Sequence, residues 1–180
     1  MTEARLVESA DGGLVPEGDG WFVLNARETR WLDGELGSYC NFEGPDARFA
    51  QVGVNLNVMQ PGQSMTMYHR ENAQEDFLVL DGECILIVDG EERPLQKWDL
   101  FHCPPGVAHA IVGAGDGPCL VLAVGARTGD EDNGLVYPAD PVAQRLNAGP
   151  PETTSSAKEA YAPYTDSFEW KPYQEGWLPW

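Results

Sequence analysis

The residues best suited to chemistry in this chain are three histidines and two glutamates in two short segments. His69, Glu71 and Glu75 lie close together, and His102 and His109 follow in a second segment; these are all the histidines of the protein. Imidazole nitrogens and carboxylate oxygens together suit borderline divalent metals such as iron, manganese, nickel, cobalt and zinc. The two segments therefore predict a metal site with open positions for oxygen or a small chelating molecule.

Strand periodicity predicts which of these side chains can share one site. His69 and Glu71 are two residues apart, so on a strand both project to the same face, and Glu75 follows on the next strand after a short loop. His109 must then arrive from a second hairpin. Glu71 has two possible roles, as a fourth ligand that adds negative charge or as a free catalytic base.

His102 has two interpretations. If residues 104 to 107 form a four-residue turn, His102 faces His109 across the hairpin on the same side of the sheet. It would then be an extra ligand or a group that orients a ligand. The alternative is a hydrogen-bonded histidine with no metal role.

The spacing of these residues resembles the cupin superfamily, whose two motifs include E-x6-G and P-x-G-x2-H. Glu75 and Gly82 fit the first, and Pro104, Gly106 and His109 fit the second. The resemblance covers about residues 53 to 124. It implies a β-barrel in which His69, Glu75 and His109 hold a divalent metal, and a homodimer formed through barrel edges.

The chain also departs from the cupin pattern. Glu71 replaces the second histidine of the first motif, and Trp98 and Gly113 replace the glycine and the asparagine of the second. Gly62 stands one residue too far from His69, so strict spacing would turn His69 to the other face of the strand. Either a bulge restores the inward histidine or the barrel has lost its metal. We favour the bulge, because it turns Glu71 inward, where a carboxylate attracts a cation.

The rest of the pattern predicts an all-β fold, an antiparallel barrel or jelly roll. Short apolar runs alternate with turn residues, and Asp81-Gly82 and Asp89-Gly90 predict two successive hairpin turns. Between residues 49 and 59, valines and a leucine alternate with polar residues. We expect Asn55 and Asn57 to face a cavity, with solvent as the alternative.

The chain divides into three predicted parts. Residues 1 to 20 are rich in glycine and should form a flexible N-terminal arm, and residues 21 to 126 should form the barrel. Residues 127 to 180 should form an extension with one short helix, capped by Asp140 and ended by Gly149. The extension ends in an aromatic tail that we expect to pack on its own barrel or on a neighbouring one. The aromatic residues of this tail are Tyr161, Tyr164, Phe168, Trp170, Tyr173, Trp177 and Trp180.

Composition excludes some partners. A formal charge of −18 repels phosphate backbones, so we predict no nucleic-acid partner. No apolar run approaches the length of a membrane span, so we predict no membrane partner. The four cysteines are scattered without a C-x-x-C pair, which indicates reduced thiols and a cytoplasmic protein.

Together these features predict a metal-binding cupin that acts as a metal-dependent enzyme on a small polar molecule. The reaction would be of the dioxygenase type or of the isomerase or lyase type. Two alternatives remain open: a non-catalytic barrel that binds a small molecule or a sugar, and a barrel whose metal site has degenerated.

Overall fold

The computed structural model describes residues 2–129 and 133–179, which form mainly antiparallel β-strands. The helices are α1 (Pro141–Arg145), α2 (Ala157–Ala160) and a 3-10 helix (Ala162–Ser167). None of the helices in these residues has the length and apolar character needed to span a bilayer. The strands are β1 (Arg5–Glu8), β2 (Leu14–Glu17), β3 (Arg30–Gly34), β4 (Gly37–Cys40), β5 (Val52–Met59), β6 (Glu75–Asp81), β7 (Glu83–Val88), β8 (Glu91–Gln96), β9 (Leu100–Cys103), β10 (His109–Ala114), β11 (Cys119–Ala126) and β12 (Glu169–Pro172).

Two sheets form a jelly roll around one apolar core. The larger sheet has seven strands in the order β12-β3-β4-β5-β11-β6-β9, and the smaller has the order β10-β7-β8. The core between them contains side chains from both sheets, including Phe77, Val79 and Val121 from the larger sheet and Leu86 and Ile111 from the smaller. The predicted all-β antiparallel fold is confirmed.

The alternation in β5 sorts its residues between the core and the outer face of the larger sheet. Met59 lies in the core, whereas Val58 packs on the outer face with Trp31 and Leu120. Asn55 and Asn57 share the parity of Met59 and line a cavity. The expectation that these two asparagines face a cavity is therefore confirmed.

Only one of the two predicted hairpin turns is a hairpin. Asp89 and Gly90 both have positive φ, 47° and 76°, and they join the paired strands β7 and β8. At Asp81-Gly82 only the glycine has a positive φ, 75°, and the chain passes there from the larger sheet to the smaller one. The prediction of a hairpin at Asp81-Gly82 was wrong because β6 pairs with β9 and β11, not with β7.

The first twenty residues carry more structure than a loose arm. β1 and β2 form an antiparallel hairpin, Leu14 forms a bridge to Thr29, and Val15 is buried. The hairpin is therefore attached to the start of β3. Flexibility of this segment and the three domain boundaries stay predictions.

The short helix of the extension is confirmed as α1. The carboxylate of Asp140 accepts hydrogen bonds from the backbone N–H groups of Val142 and Ala143, both at 2.9 Å, and Pro141 occupies the first turn. α1 packs against the smaller sheet, where Ala143 joins Tyr68 and Ile87 in a second apolar cluster.

The aromatic tail packs on the barrel of its own chain. β12 pairs with β3 at the edge of the larger sheet, and Trp177 lies with its ring centroid 5.2 Å from that of Trp31, which is fully buried. Tyr173 and Leu178 pack on the same cluster. Trp180 lies outside the described residues.

This packing predicts the effect of a single truncation in the tail. Trp177→Ala should lower the free energy of unfolding by about 2–3 kcal/mol, because it exposes part of the outer-face cluster. Trp98→Ala is the matched control: Trp98 is 68% exposed, so its loss should change stability by less than about 0.5 kcal/mol. Urea unfolding of both variants measures the difference, and equal midpoints would show that the tail does not stabilise the barrel.

Candidate metal centre

Three of the predicted ligands meet inside the barrel. Their ligand atoms, one each from His69, Glu75 and His109, all lie within 4.8 Å of one another. Oε2 of Glu75 lies 3.6 Å from Nε2 of His69 and 3.3 Å from Nε2 of His109. All three side chains are largely removed from solvent, and His109 is fully buried.

The three residues come from three different segments of the chain. Glu75 begins β6 and His109 begins β10. His69 lies in a segment without regular strand structure that runs along the free side of β10. His69 and His109 exchange two backbone hydrogen bonds, of 3.0 and 2.8 Å, which hold the two imidazoles side by side with ring centroids 4.8 Å apart.

An irregularity in this segment brings His69, and not Met67, opposite His109. Ser64 is bridged to Val112 and His69 to His109, so five steps along one segment match three along the other. Two extra residues are therefore accommodated between Ser64 and His69. His69 faces inward, so its neighbours face the other way: Tyr68 packs on the outer side against α1, and Arg70 is exposed. The favoured interpretation, a bulge between Gly62 and His69, agrees with this register.

The orientation of both imidazoles is fixed by backbone carbonyl groups. Nδ1 of His69 lies 2.8 Å from the oxygen of Met67, and Nδ1 of His109 lies 3.2 Å from the oxygen of Val107. A carbonyl oxygen only accepts, so each Nδ1 carries the proton that it donates. When both imidazoles are neutral, as ligands of a metal must be, the Nε2 atom of each presents a lone pair toward Glu75.

This arrangement leaves ligand atoms without partners. Oε2 of Glu75 and Nε2 of His109 are buried and have no hydrogen-bond partner. Buried polar atoms are almost always paired, because an unpaired one costs about 1–3 kcal/mol. Lone pairs that face one another are stabilised by a cation between them. Two ligands of one transition ion lie about 3.0–3.4 Å apart when each bond is about 2.1 Å long. The 3.3 Å separation of Glu75 and His109 fits such an ion, and the 3.6 Å separation of Glu75 and His69 is slightly longer.

Electrostatic effects inside the cluster keep Glu75 ionised. Burial by itself would raise the pKa of Glu75, but its close contacts with His109 and His69 lower the pKa to about 2. Burial by itself would lower the pKa of His69, but the contact with Glu75, the Met67 carbonyl and the charge of Glu71 outweigh it and raise that pKa above its ordinary value. The cluster thus behaves as a site that favours positive charge.

Glu71 lies near this cluster but is not one of its three members. Burial and the charge of Glu75 raise the pKa of Glu71 to about 7, although His69 and a hydrogen bond from Asn133 oppose the rise. Glu71 is half-buried, and its backbone carbonyl accepts a hydrogen bond of 2.7 Å from Gly106. Its side chain therefore adjoins the metal centre from the side of Asn133.

His102 is not brought to the site. β9 pairs with β6 and β10 pairs with β7, so the expected pairing of His102 with His109 does not form. The side chain of His102 is 54% exposed, and its Nδ1 lies 2.6 Å from Asp76 on the outer face. The interpretation of His102 as an extra ligand or an orienting group was wrong in geometry, because β9 belongs to the other sheet. Cys103, one residue on, lies beside His109 with its Sγ 3.3 Å from Nδ1.

A cavity of about 470 Å³ opens beside the segment that carries His69. Its walls come from the inner face of the larger sheet, from the segment before His69 and from the C-terminal extension. Its lining includes the polar residues Asn41, Asn55, Asn57, Thr66, Arg127 and Tyr161. The three clustered ligands do not line this cavity themselves, so the cavity adjoins the metal centre and does not enclose it.

Several residues around the site were not predicted from the sequence. Tyr161 accepts a hydrogen bond of 3.1 Å from the backbone N–H of Met67, and its ring stacks edge-on against Tyr137, which in turn contacts His69. Tyr137 and Tyr161 belong to the C-terminal extension, for which only external packing was expected. Their aromatic character was the one available signal, and it did not reveal their position.

Part of this chain matches a known protein family. Residues 55–125, from the middle of β5 to the end of β11, match the family model described as "Cupin domain". Residues 55–125 form a cupin domain. No curated protein sequence matches the chain.

Several solved structures are similar to part of this chain. A cupin 2 conserved barrel domain protein from Salinispora arenicola is 20% identical, with a TM-score of 0.47, over 64% of this chain and 86% of that one. A cupin protein from Bacteroides fragilis is 24% identical, with a TM-score of 0.42, over 46% of this chain and 70% of that one. A candidate sugar phosphate isomerase from Acidithiobacillus ferrooxidans is 25% identical, with a TM-score of 0.46, over 51% of this chain; the match spans only 59% of that isomerase.

The departure of Gly113 from the cupin pattern has a steric cause. A Cβ atom at Gly113 would lie 2.4 Å from the backbone oxygen of Gln60, because the segment before His69 crosses β10 closely here. Gly113→Asn, which restores the family's asparagine, should therefore destabilise the protein by about 1–3 kcal/mol.

Gly117→Asn provides the control for this prediction, because a Cβ there has no neighbour within 4 Å. Thermal unfolding should show a clear loss of melting temperature for the Gly113 variant and little change for the Gly117 variant. A Gly113 variant as stable as the parent would mean that the segment before His69 does not approach β10 as described.

Proposed function

We propose that His69, Glu75 and His109 hold one divalent transition metal and that this protein is a metal-dependent enzyme acting on a small polar molecule. The observation that carries the proposal is the convergence of three ligand atoms, two of them buried without partners, inside the cupin domain. Two imidazoles and one carboxylate leave coordination positions open for other molecules. Such an ion supplies Lewis acidity or a place for oxygen beside the substrate.

The chain's own residues have distinct roles in this proposal. The carbonyl groups of Met67 and Val107 hold the imidazoles with Nε2 toward the ion, so that little reorganisation is needed on binding. Glu71 lies outside the cluster and is placed to accept or return a proton during an isomerase or lyase reaction. In a dioxygenase reaction the same carboxyl would hold a hydrogen bond to the substrate.

The cavity beside the metal centre supports a small polar substrate. The side-chain amides of Asn55 and Asn57 face it and have no hydrogen-bond partner among the described residues, and Oγ1 of Thr66 is also without a partner. A substrate with hydroxyl or carbonyl groups would satisfy these groups, whereas an apolar one would leave them unpaired. A non-catalytic barrel that binds a sugar would use the same contacts, so turnover decides between the two.

The metal part of the proposal has a direct test. Purified protein should contain about one transition ion per chain by elemental analysis. The double variant His69→Ala, His109→Ala should lose this ion. His102→Ala should keep it, because His102 lies on the outer face and is paired with Asp76. A double variant with full occupancy would refute the site.

The role of Glu71 is tested separately by Glu71→Gln. This variant should keep the full metal content, because Glu71 is not in the cluster of ligands, but its turnover should fall by at least about 100-fold if the carboxyl transfers a proton. Glu75→Gln serves as the comparison, since it removes a ligand charge and should lower metal content itself. If Glu71→Gln loses its metal as Glu75→Gln does, Glu71 is a fourth ligand and not a base.

We also propose a cytoplasmic homodimer. All four cysteines are free and buried, as expected for reduced thiols. β9 lies at one edge of the larger sheet, where Trp98 and Leu100 are both well exposed. An exposed apolar edge strand favours pairing with a second copy. β8, at one edge of the smaller sheet, carries charged residues and Pro94, which disfavour such pairing.

A further inference from the structure

A second cavity contains an unusual concentration of positive charge. It has a volume of about 700 Å³ and shares Asn41 and Arg127 with the cavity that contains Asn55 and Asn57. Its described lining includes Arg30, Arg48 and Arg127 but only one acidic residue, Glu43, a formal balance of +2. The whole chain has 11 basic residues against 29 acidic ones. Three arginines beside one glutamate are therefore not what a random part of this surface would contain.

Arg127 is held in position by a buried acid. Its guanidinium group donates to Oε1 of Glu43 at 2.7 Å and also to the backbone oxygen of Phe49. Glu43 is buried and accepts a further hydrogen bond of 3.1 Å from the backbone N–H of Phe49. These contacts fix one edge of the guanidinium group, and the group lines both cavities.

Arg30 is oriented but incompletely paired. Its guanidinium group lies over the ring of Trp170 at 4.3 Å, and its closest acidic group, Asp11, is 3.7 Å away, beyond good hydrogen-bond distance. Its Nε atom is buried with no hydrogen-bond partner. A buried donor on a charged group is costly to leave unpaired, so the geometry of Arg30 indicates a ligand that is itself an acceptor.

Arg48 is the third cation of this cavity. In residues 2–129 and 133–179 its guanidinium group has no ion-pair or hydrogen-bond partner, and its side chain is exposed. Three guanidinium groups that line one cavity repel one another, and an anion bound between them would attract all three. Arginine forks match the oxygens of carboxylate and phosphate groups with paired hydrogen bonds.

The cavity also has a link to the metal centre. Asn133 lines it, and the side chain of Asn133 donates a hydrogen bond to the carboxyl group of Glu71. Glu71 in turn acts electrostatically on His69 and on Glu75. Asn133 thus connects the lining of this cavity to Glu71.

We propose that the substrate is a small anion whose carboxylate or phosphate group binds between Arg30, Arg48 and Arg127, with its polar part directed to Asn55 and Asn57. This inference rests on the proposed function, because it names the substrate class of that same enzyme. It also makes a prediction that does not require turnover. The protein should bind simple oxyanions in this cavity despite its strong net negative charge.

The test measures binding of inorganic phosphate and of malonate to the full-length protein by calorimetry at low ionic strength. Both anions are expected to bind, and malonamide, the uncharged analogue of malonate, is not. Tighter binding of phosphate would identify phosphate esters as the class, and tighter binding of malonate would identify carboxylic acids. If neither anion binds, the proposal is wrong.

Variants locate the bound anion. Arg48→Gln should weaken binding of the better anion by at least about fivefold and Arg30→Gln by at least about tenfold, since each removes a charged contact. Arg48→Lys should restore part of the affinity. Arg93→Gln, on the exposed strand β8, is the control and should bind within about twofold of the parent, because Arg93 pairs with Glu91 away from the cavity. Equal affinity in all four variants would overturn the proposal. If Arg30→Gln fails to fold, unchanged affinity of Arg48→Gln, a substitution at an exposed site, is enough to overturn it.

Metal content separates this inference from the proposed function. The arginine variants should keep their metal while losing anion affinity. The variant His69→Ala, His109→Ala should lose its metal and still bind the anion. If the parent protein binds the anions but contains no metal, the proposed metal site is wrong and the anion site stands. If the parent protein contains the metal but binds neither anion, the metal site stands and the anion proposal is wrong.

Discussion

The two backbone hydrogen bonds between His69 and His109 are the constraint on which the candidate site depends. They fix the register between β10 and the irregular segment before it, and a change of one residue would turn His69 to the outer face. The two residues accommodated between Ser64 and His69 are what make this register possible. Once the two histidines are side by side, Glu75 at the start of β6 completes a group of three donors. The rest of the barrel serves to hold these three chain segments at constant distance.

Charge is distributed in this protein in two opposed ways. The surface as a whole is strongly acidic, and the cluster at Glu75 favours a cation. Against this background, the arginines of the second cavity form a local region of the opposite sign. A cationic region and an anionic ligand set in neighbouring positions suit a substrate with an anionic end and a neutral, oxygen-bearing end. Long-range repulsion by the surface would slow the arrival of such a molecule, and added salt would reduce that repulsion.

Short-range patterns in the sequence predicted those parts of the structure that depend on contacts between residues close together in the chain. Alternation of apolar and polar residues placed Asn55 and Asn57 on the inner face. Asp140 was identified as the cap of α1 because its carboxylate accepts hydrogen bonds only from the turn that follows it. Glu75 and His109 followed from motif spacing. The Asp81-Gly82 turn and the pairing of His102 were wrong for one common reason: a turn signal does not say whether the next strand stays in the same sheet.

The remaining features depend on contacts between residues that are far apart in the chain. Arg30 lies on β3, Arg48 precedes β5 and Arg127 follows β11, so nothing in their spacing shows that they share a cavity. Tyr161 reaches Met67 across more than half of the sequence. The position of Glu71 outside the cluster of His69, Glu75 and His109 is also a result of side-chain position, since strand parity alone put it on the same face as His69.

The C-terminal extension has a consequence for how the protein matures. Tyr161 and Phe168 provide walls of the first cavity, and Trp170 supports Arg30 at the second. During synthesis the cupin domain is complete about forty residues before these side chains leave the ribosome. A nascent chain can therefore close its barrel while both cavities still lack their outer walls. Proteolytic removal of the chain from Tyr161 onward would return a finished molecule to that open form, with the three donors retained and the outer walls of both cavities lost.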